Sequence, residues 1–235
     1  MSTLSVLRPI VKLLQVGVGS VSISGLEHLP DSKPYMLVLN HMSKADPPLV
    51  LLAYKDAHIR FFAGEKWKRH KIFGPILGWA GAVYINRGEV DRQALRGALN
   101  AIQDGHVFAL APEGKRSKVG ALIKAKDGVA YLAARANIPI VPMGIINSDI
   151  IGANLKRLRR TKLQLIVGKQ FKLPELAHRP KSAELSAYTH FIMIHIAAIL
   201  PKRYWGYYAE SFALKAFLAG EDPWPLCLEQ ESHTG

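Results

Sequence analysis

His41 and Asp46 put an imidazole and a carboxylate five positions apart, in the stretch Asn40 His41 Met42 Ser43 Lys44 Ala45 Asp46. An ordinary imidazole is mostly unprotonated near neutral pH and can take a proton from a hydroxyl, while a carboxylate beside it can hold its tautomer. Positions five apart on an α-helix diverge by about 140°, so the pair cannot meet inside one regular helix and must meet across a turn. The next residues suggest that turn. Asp46 suits an N-cap, Pro47 suits the first helical position, and Pro48 to Tyr54 can continue a helix, which leaves His41 in a strand-to-helix loop. Capping and orienting compete for the same carboxylate oxygens. The spacing alone arises easily by chance, so its context has to carry the chemistry. Ser43 reads as a turn-stabilising hydroxyl.

The elements that must hold this pair follow from the apolar pattern. Tyr35 to Leu39 is a continuous apolar run of buried-strand type that delivers His41 at its C-terminal end, the edge where ligand sites of open α/β sheets collect. Ile59 to Ala63 is a second such run, followed by Lys66 Trp67 Lys68 Arg69 His70 Lys71 Ile72 Phe73, where cations alternate with aromatic rings as a membrane-interfacial surface requires. Ala82 to Ile85 predicts a strand ending in Asn86 Arg87 Gly88. Asp91 to Asp104 predicts a helix, with Ala94, Leu95, Ala98, Leu99 and Ile102 on one face and Gly105 ending it. Val107 to Leu110 predicts a strand entering the turn Ala111 Pro112 Glu113 Gly114 Lys115 Arg116 Ser117. A helix over Asp127–Ala136 and a strand over Ile140–Ile146 follow, the latter irregular or at an edge because of Pro139 and Pro142. Asn154 to Lys162 reads as an exposed basic loop, Leu163 to Val167 as a last strand, and Ser182 to Leu200 as a helix closed by Pro201.

Strands alternating with helices argue for an α/β fold, a mixed, mostly parallel sheet flanked by helices. Three strand-end turns then converge on one edge: His41 with Asp46, Arg87, and Glu113 with Gly114, Lys115 and Arg116. Together they supply a base and a cluster of cations for an anion. No serine sits in a Gly-x-Ser-x-Gly elbow.

With those turns in place the chain resembles the PlsC-type glycerolipid acyltransferases, the 1-acylglycerol-3-phosphate acyltransferase family. Four family blocks match in order. They are Asn-His-x-Ser-x-x-Asp at Asn40–Asp46, Gly-x-x-(Phe/Tyr)-(Ile/Val)-x-Arg at Gly81–Arg87, Phe-Pro-Glu-Gly-Thr-Arg-Ser at Ala111–Ser117, and Ile-Pro-Ile-Val-Pro at Ile138–Pro142. The resemblance implies that His41 deprotonates the hydroxyl of a lysophospholipid, with Asp46 as its orienter, and that the alkoxide attacks an acyl thioester directly. It implies that Arg87, Glu113, Gly114, Lys115 and Arg116 bind the acceptor phosphate. Ala111 stands for the usual Phe and Lys115 for the usual Thr, which points to a wider and more cationic acceptor pocket. Gly64 stands where family members often carry a lysine, leaving Lys66 as a candidate oxyanion or thioester-side contact.

Composition bounds the rest. A net charge of +13 and a pI near 9.9 call for an anionic partner, either a lipid surface or a nucleic acid. Given the resemblance, an anionic membrane met by Trp67, Lys68, Arg69 and Lys71 is the expected partner, with nucleic acid as the alternative. A single cysteine, Cys227, excludes an intramolecular disulfide and a thiolate metal cluster and fits a reducing compartment. No metal or cofactor is expected, acyl-CoA or acyl-carrier protein serving as co-substrate. Leu4 to Val21 reads as an amphipathic helix, on a membrane interface or packed on the domain, followed by a short edge strand at Ser22–Leu26. The longest uncharged stretch there, Leu13–Leu26, is 14 residues, too short to cross a bilayer. The expected organisation is therefore an interfacial segment at 1–24, an acyltransferase domain at 25–210 and a C-terminal tail at 211–235. The expected location is peripheral, on the cytoplasmic face of the cell membrane, with no signal peptide. Within the same chemistry the acceptor stays open among lysophosphatidate, glycerol 3-phosphate, another lysophospholipid and an aminoacyl lipid.

Overall fold

The computed structural model of the chain describes residues 17–53, 59–86 and 91–232. Seven strands among them form one sheet in the order β1-β7-β6-β2-β5-β3-β4. The strands are β1 (Gly19–Ser24), β2 (Met36–Leu39), β3 (Ile59–Gly64), β4 (Ala82–Ile85), β5 (Val107–Leu110), β6 (Ile140–Ile146) and β7 (Thr161–Val167). All neighbouring pairs are parallel except β6 with β7, which run antiparallel. The expected mixed, mostly parallel sheet is therefore present.

β2 lies at the centre because nothing in it needs water. Met36 and Val38 face one side and Leu37 and Leu39 the other, all buried, and burying each is worth about 1.5–3 kcal/mol. On the first side α3 (Arg92–Gln103), α4 (Gly128–Ala136) and α6 (Ser182–Ala198) cover the sheet. Across the sheet, α1 (Asp46–Ala53) contributes Leu49 and Val50, and α5 (Ile151–Lys156) contributes Ile151. Helices thus lie on both faces. A short helix that the sequence reading did not anticipate, α2 (Phe73–Trp79), joins β3 to β4, its start held by the His70 Nδ1 atom accepting from the Phe73 amide at 3.2 Å.

Four expectations need correction. The helical reading of Leu4–Val21 overruns: β1 begins at Gly19, whose hypothetical Cβ would fall 1.8 Å from the Thr161 carbonyl oxygen, so only glycine lets the two backbones pair there. The part of that segment before residue 17, with its proposed membrane-interfacial role, lies outside the described residues, as do Tyr54 and Arg87. Of the two readings of β6, irregular or at an edge, the edge is overturned: the strand is interior, and irregular at Pro142. Pro142 is tolerated because its missing N–H faces the gap between the β7 ladder, which starts at Met143 opposite Val167, and the isolated Ile140–Phe171 bridge. The supposed basic loop at Asn154–Lys162 is helical up to Lys156 and becomes strand at Thr161.

The stretch expected as a tail carries α7 (Phe212–Leu218) and α8 (Trp224–Ser232). Their presence follows from α6, which is buried on every side from Ala187 to Ala197 and needs cover on the face turned away from the sheet. Leu214 and Cys227 supply part of it. Among the described residues no helix is long and apolar enough to cross a membrane.

Candidate active site

Strand β2 ends at Leu39, and the next residue anchors the loop. Asn40 is fully buried, donates from Nδ2 to the Ile145 carbonyl at 2.9 Å and accepts the Ile145 amide at 2.7 Å. One side chain thereby pairs both backbone groups of a β6 residue and fixes the height at which His41 leaves the sheet.

His41 Nδ1 donates to Asp46 Oδ2 at 2.8 Å. The histidine side chain is 17% exposed and the aspartate 1%. The same Oδ2 accepts the amides of Met42 at 2.7 Å and Ser43 at 2.8 Å, while Oδ1 is buried and has no hydrogen-bond partner among the described residues. Because a carboxylate only accepts, the Nδ1 atom carries the proton and Nε2 keeps its lone pair for chemistry.

The competition foreseen for Asp46 is resolved by the residues after it. Pro48 has no N–H to offer a cap at Asp46 and the Leu49 amide is taken by the Ala45 carbonyl, so the carboxylate turns back to residues 41–43 instead of forward into α1. Ala45 takes the capping position, its carbonyl accepting from Leu49 at 3.1 Å, and the Ser43 hydroxyl accepts the Ala45 amide at 3.2 Å.

Glu113 sits behind this loop and is 1% exposed. Its Oε1 accepts the His41 amide and its Oε2 the Ile123 amide, both at 3.0 Å. Buried, with each oxygen turned onto a backbone amide, and lining neither the cavity nor the cleft described below, Glu113 positions the base, where the sequence expectation had it binding the acceptor phosphate. Burial pushes its carboxyl up to about 7, against the pull of those two amides and of His41. Gly114 adopts φ +65°, and a Cβ there would meet Lys126 Cδ at 3.2 Å, so the glycine leaves the path along which the lysine stem runs.

A cavity of about 190 Å³ opens at the sheet edge, lined by His41, Asp46, Gly114 and Lys126 and by apolar side chains that include Leu39, Val50, Ile59, Phe61, Phe62 and Leu110. Beside it lies a cleft of about 990 Å³ that shares Phe62, Ile85, Leu110, Ala111, Gly114 and Lys126 with the cavity. Leu95, Leu99 and Val129 line the cleft, together with the cations Arg92, Arg96, Lys124, Lys126 and Arg135. Its acids are already engaged: Asp91 caps α3 through the Ala94 amide, and Asp127 accepts the hydroxyls of Ser186 and Thr189.

Other predicted site residues fall elsewhere. Lys115 is exposed, Arg116 is half-buried, and neither lines the cavity or the cleft. Lys66, the candidate oxyanion or thioester-side contact, does not line the cavity; its Nζ lies 5.6 Å from the Trp67 ring centroid. Trp67 is half-buried against Phe73, ring centroids 5.5 Å apart, while Lys68, Arg69 and Lys71 are exposed beside the exposed Ile72, Phe73 and Trp79. Lys126 is the cation that sequence reasoning missed. It stands nine residues beyond Ser117 and reaches the cavity because its amide donates to the Pro112 carbonyl at 3.0 Å, folding the chain back over the turn.

Known proteins resemble this chain in sequence and in fold. A 1-acyl-sn-glycerol-3-phosphate acyltransferase from sheep is 32% identical over 131 residues, 52% of this chain and 44% of that protein. A chloroplastic one from Brassica napus is 30% identical over 140 residues, 55% of this chain and 38% of its own length. The chain thus spans less than half the length of these relatives. The crystal structure of the 1-acyl-sn-glycerophosphate acyltransferase PlsC from Thermotoga maritima shares the fold, with a TM-score of 0.62 at 24% identity, covering 80% of this chain and 76% of that one. Residues 20–146, more than half of the chain and the part that carries His41, Asp46 and Glu113, match the family described as Acyltransferase, and the chain belongs to that family.

Proposed function

We propose that the protein transfers a fatty acyl group from an acyl thioester, acyl-CoA or acyl-carrier protein, to the free hydroxyl of 1-acylglycerol 3-phosphate, giving phosphatidate for phospholipid synthesis. The observation that carries this reading is the His41–Asp46 pair, with its Nε2 lone pair free, on an apolar cavity that also holds the Lys126 cation. In the reaction His41 Nε2 takes the acceptor hydroxyl proton as the oxygen attacks the thioester carbonyl. The C–O bond forms, the C–S bond breaks, and the imidazolium returns its proton to the departing thiolate. Ester and free thiol are the products, and the balance needs no other group. Asp46 stabilises the imidazolium, and the acceptor oxygen stands where a hydrolase places its serine.

Lys126 is the cation for the acceptor phosphate, with Arg87 as a further candidate from the sequence. The wider cleft, with its five cations, accommodates the phosphorylated arm of the thioester donor. Trp67, Lys68, Arg69 and Lys71 are suited to an anionic membrane surface at the cytoplasmic face. Membranes bearing the protein, supplied with labelled acyl thioester and lysophosphatidate, should form labelled phosphatidate and release thiol in equal amount. Glycerol 3-phosphate and other lysophospholipids should serve at least tenfold less well. A His41→Ala variant that turns over at the native rate would sink the mechanism.

A further inference from the structure

We infer that the loop between α5 and β7, residues 157–160, is a membrane-docking finger that inserts Leu158 into an anionic bilayer and holds the catalytic edge of the sheet against it. The inference rests on the acyltransferase reading only for its purpose; the docking itself stands on the loop.

Leu158 is 97% exposed and adopts φ +52°, a left-handed conformation that a leucine adopts only against steric resistance. Glycine or asparagine would close the same turn without that strain or that exposed side chain. Folding rewards neither feature, and their coincidence at one residue points to an external contact. The turn is built rather than loose. The Leu158 amide donates to the Leu155 carbonyl at 3.1 Å, the Arg159 amide to Asn154 at 2.9 Å, and the Asn154 side chain ties across to the Thr161 hydroxyl at 3.1 Å. Around it Lys156, Arg157, Arg159, Arg160 and Lys162 are all exposed, and no acidic residue occurs between Asp149 and Glu175.

Topology gives the finger its direction. β6 is parallel to β2, so Ile146 ends at the edge that carries His41. β7 runs back from that edge with Gln164 opposite Ile146, so Thr161 extends three residues past it, about 10 Å at the usual rise. The finger therefore stands above the catalytic edge, two strands from β2 on one side. Two strands away on the other side, β3 releases the Lys66–Lys71 cations and the exposed Ile72 and Phe73 at the same edge. The two patches therefore lie on either side of His41 at one edge of the sheet. A bare leucine at the tip contributes nothing to a nucleic-acid backbone, whereas among anionic lipid headgroups it reaches acyl chains while the arginines meet phosphate.

The test uses the full chain and sedimentation with vesicles of phosphatidylcholine containing about 30% phosphatidylglycerol, an anionic surface of the kind such clusters bind. Leu158→Gly, which relieves the strained φ and keeps every charge, should weaken vesicle binding about fivefold or more while its melting temperature stays level or rises. Arg157→Gln with Arg159→Gln should weaken it about tenfold and flatten its salt dependence. Both variants should acylate a short-chain, monomeric acceptor at the native rate. His41→Ala should bind vesicles as the native chain does while losing transfer, so docking and catalysis can fail separately. Native vesicle binding by both finger variants overturns the inference. So does a loss of duplex-DNA binding in them with vesicle binding intact, which would assign the finger to nucleic acid.

Discussion

Glu113 holds His41 by its backbone. Its Oε1 accepts the His41 amide at 3.0 Å, and four residues further on the Ser117 amide donates to the His41 carbonyl at 2.8 Å, so the base is clamped above and below by one turn. The family-type turn at 111–117 therefore acts here as a mount for the base, and its carboxylate is spent on geometry.

That mount makes stability depend on pH in a definite direction. The Glu113 carboxyl ionises near 4.5 when the chain is unfolded and only near 7 when burial opposes its charge. Between those values the folded state holds a proton that the unfolded state has released. Its contribution to stability is thus largest below about pH 4.5, falls as pH rises to about 7, and is constant above. Glu113→Gln cannot titrate, so urea unfolding of native and variant protein side by side should show the native chain losing up to about 3 kcal/mol relative to the variant across that window. A pH-independent difference would mean that the carboxyl ionises at its ordinary value. At every pH the variant should turn over more slowly, because an amide nitrogen placed against a backbone N–H lets the His41 loop shift.

Asp46 is placed to stabilise charge that appears only during turnover. Asp46→Asn can keep all three hydrogen bonds with its amide oxygen in the Oδ2 position, which puts the NH₂ group where Oδ1 is already without a partner. The variant should fold at a cost of about 1–3 kcal/mol for that buried donor. Its kcat should fall about 10²- to 10³-fold with KM changed less than threefold, since the lost negative charge matters only once His41 holds the proton. Thiol release at saturating and limiting acceptor separates the two constants. Retention of more than a tenth of native kcat would show that Asp46 only shapes the loop.

The centre of the fold could be read from the chain, because local chemistry and tertiary position agree there. The apolar run at Tyr35–Leu39 can only be a strand buried on both faces, and Pro47 and Pro48 mark the helix start that turns Asp46 back to His41. Residues whose fate depends on distant neighbours could not be read in this way. Pro142 signals an irregular strand or an edge, and local sequence cannot choose between them; the strand is interior, and irregular where the β7 ladder is interrupted opposite Pro142. The apolar residues of 211–232 carry no signal that they cover α6, and Glu113 sits in a turn whose sequence gives no hint that its carboxylate faces inward onto two amides. Lys126 belongs to no short motif. It enters the site through one backbone hydrogen bond to Pro112.

Lys126 yields the sharpest test of how the acceptor is held. It is the one lysine or arginine among the described residues that lines the cavity beside His41, and Gly114, at φ +65°, leaves room for its stem. Lys115 and Arg116, equally cationic in the sequence, stay outside both cavity and cleft. If the acceptor phosphate is met by Lys126, Lys126→Met keeps the stem and its packing but loses a charge-assisted contact worth about 1.5–3 kcal/mol. KM for lysophosphatidate should then rise about 10- to 100-fold, and selectivity over an acceptor without phosphate, such as a monoacylglycerol, should fall by the same factor. Lys115→Met should change KM less than twofold. Gly114→Ala should behave like a weaker Lys126→Met, since its Cβ strains the turn and crowds the lysine stem at 3.2 Å. A large KM effect at Lys115 with none at Lys126 would mean that the acceptor enters across the outer face of the 111–117 turn and not through the cavity.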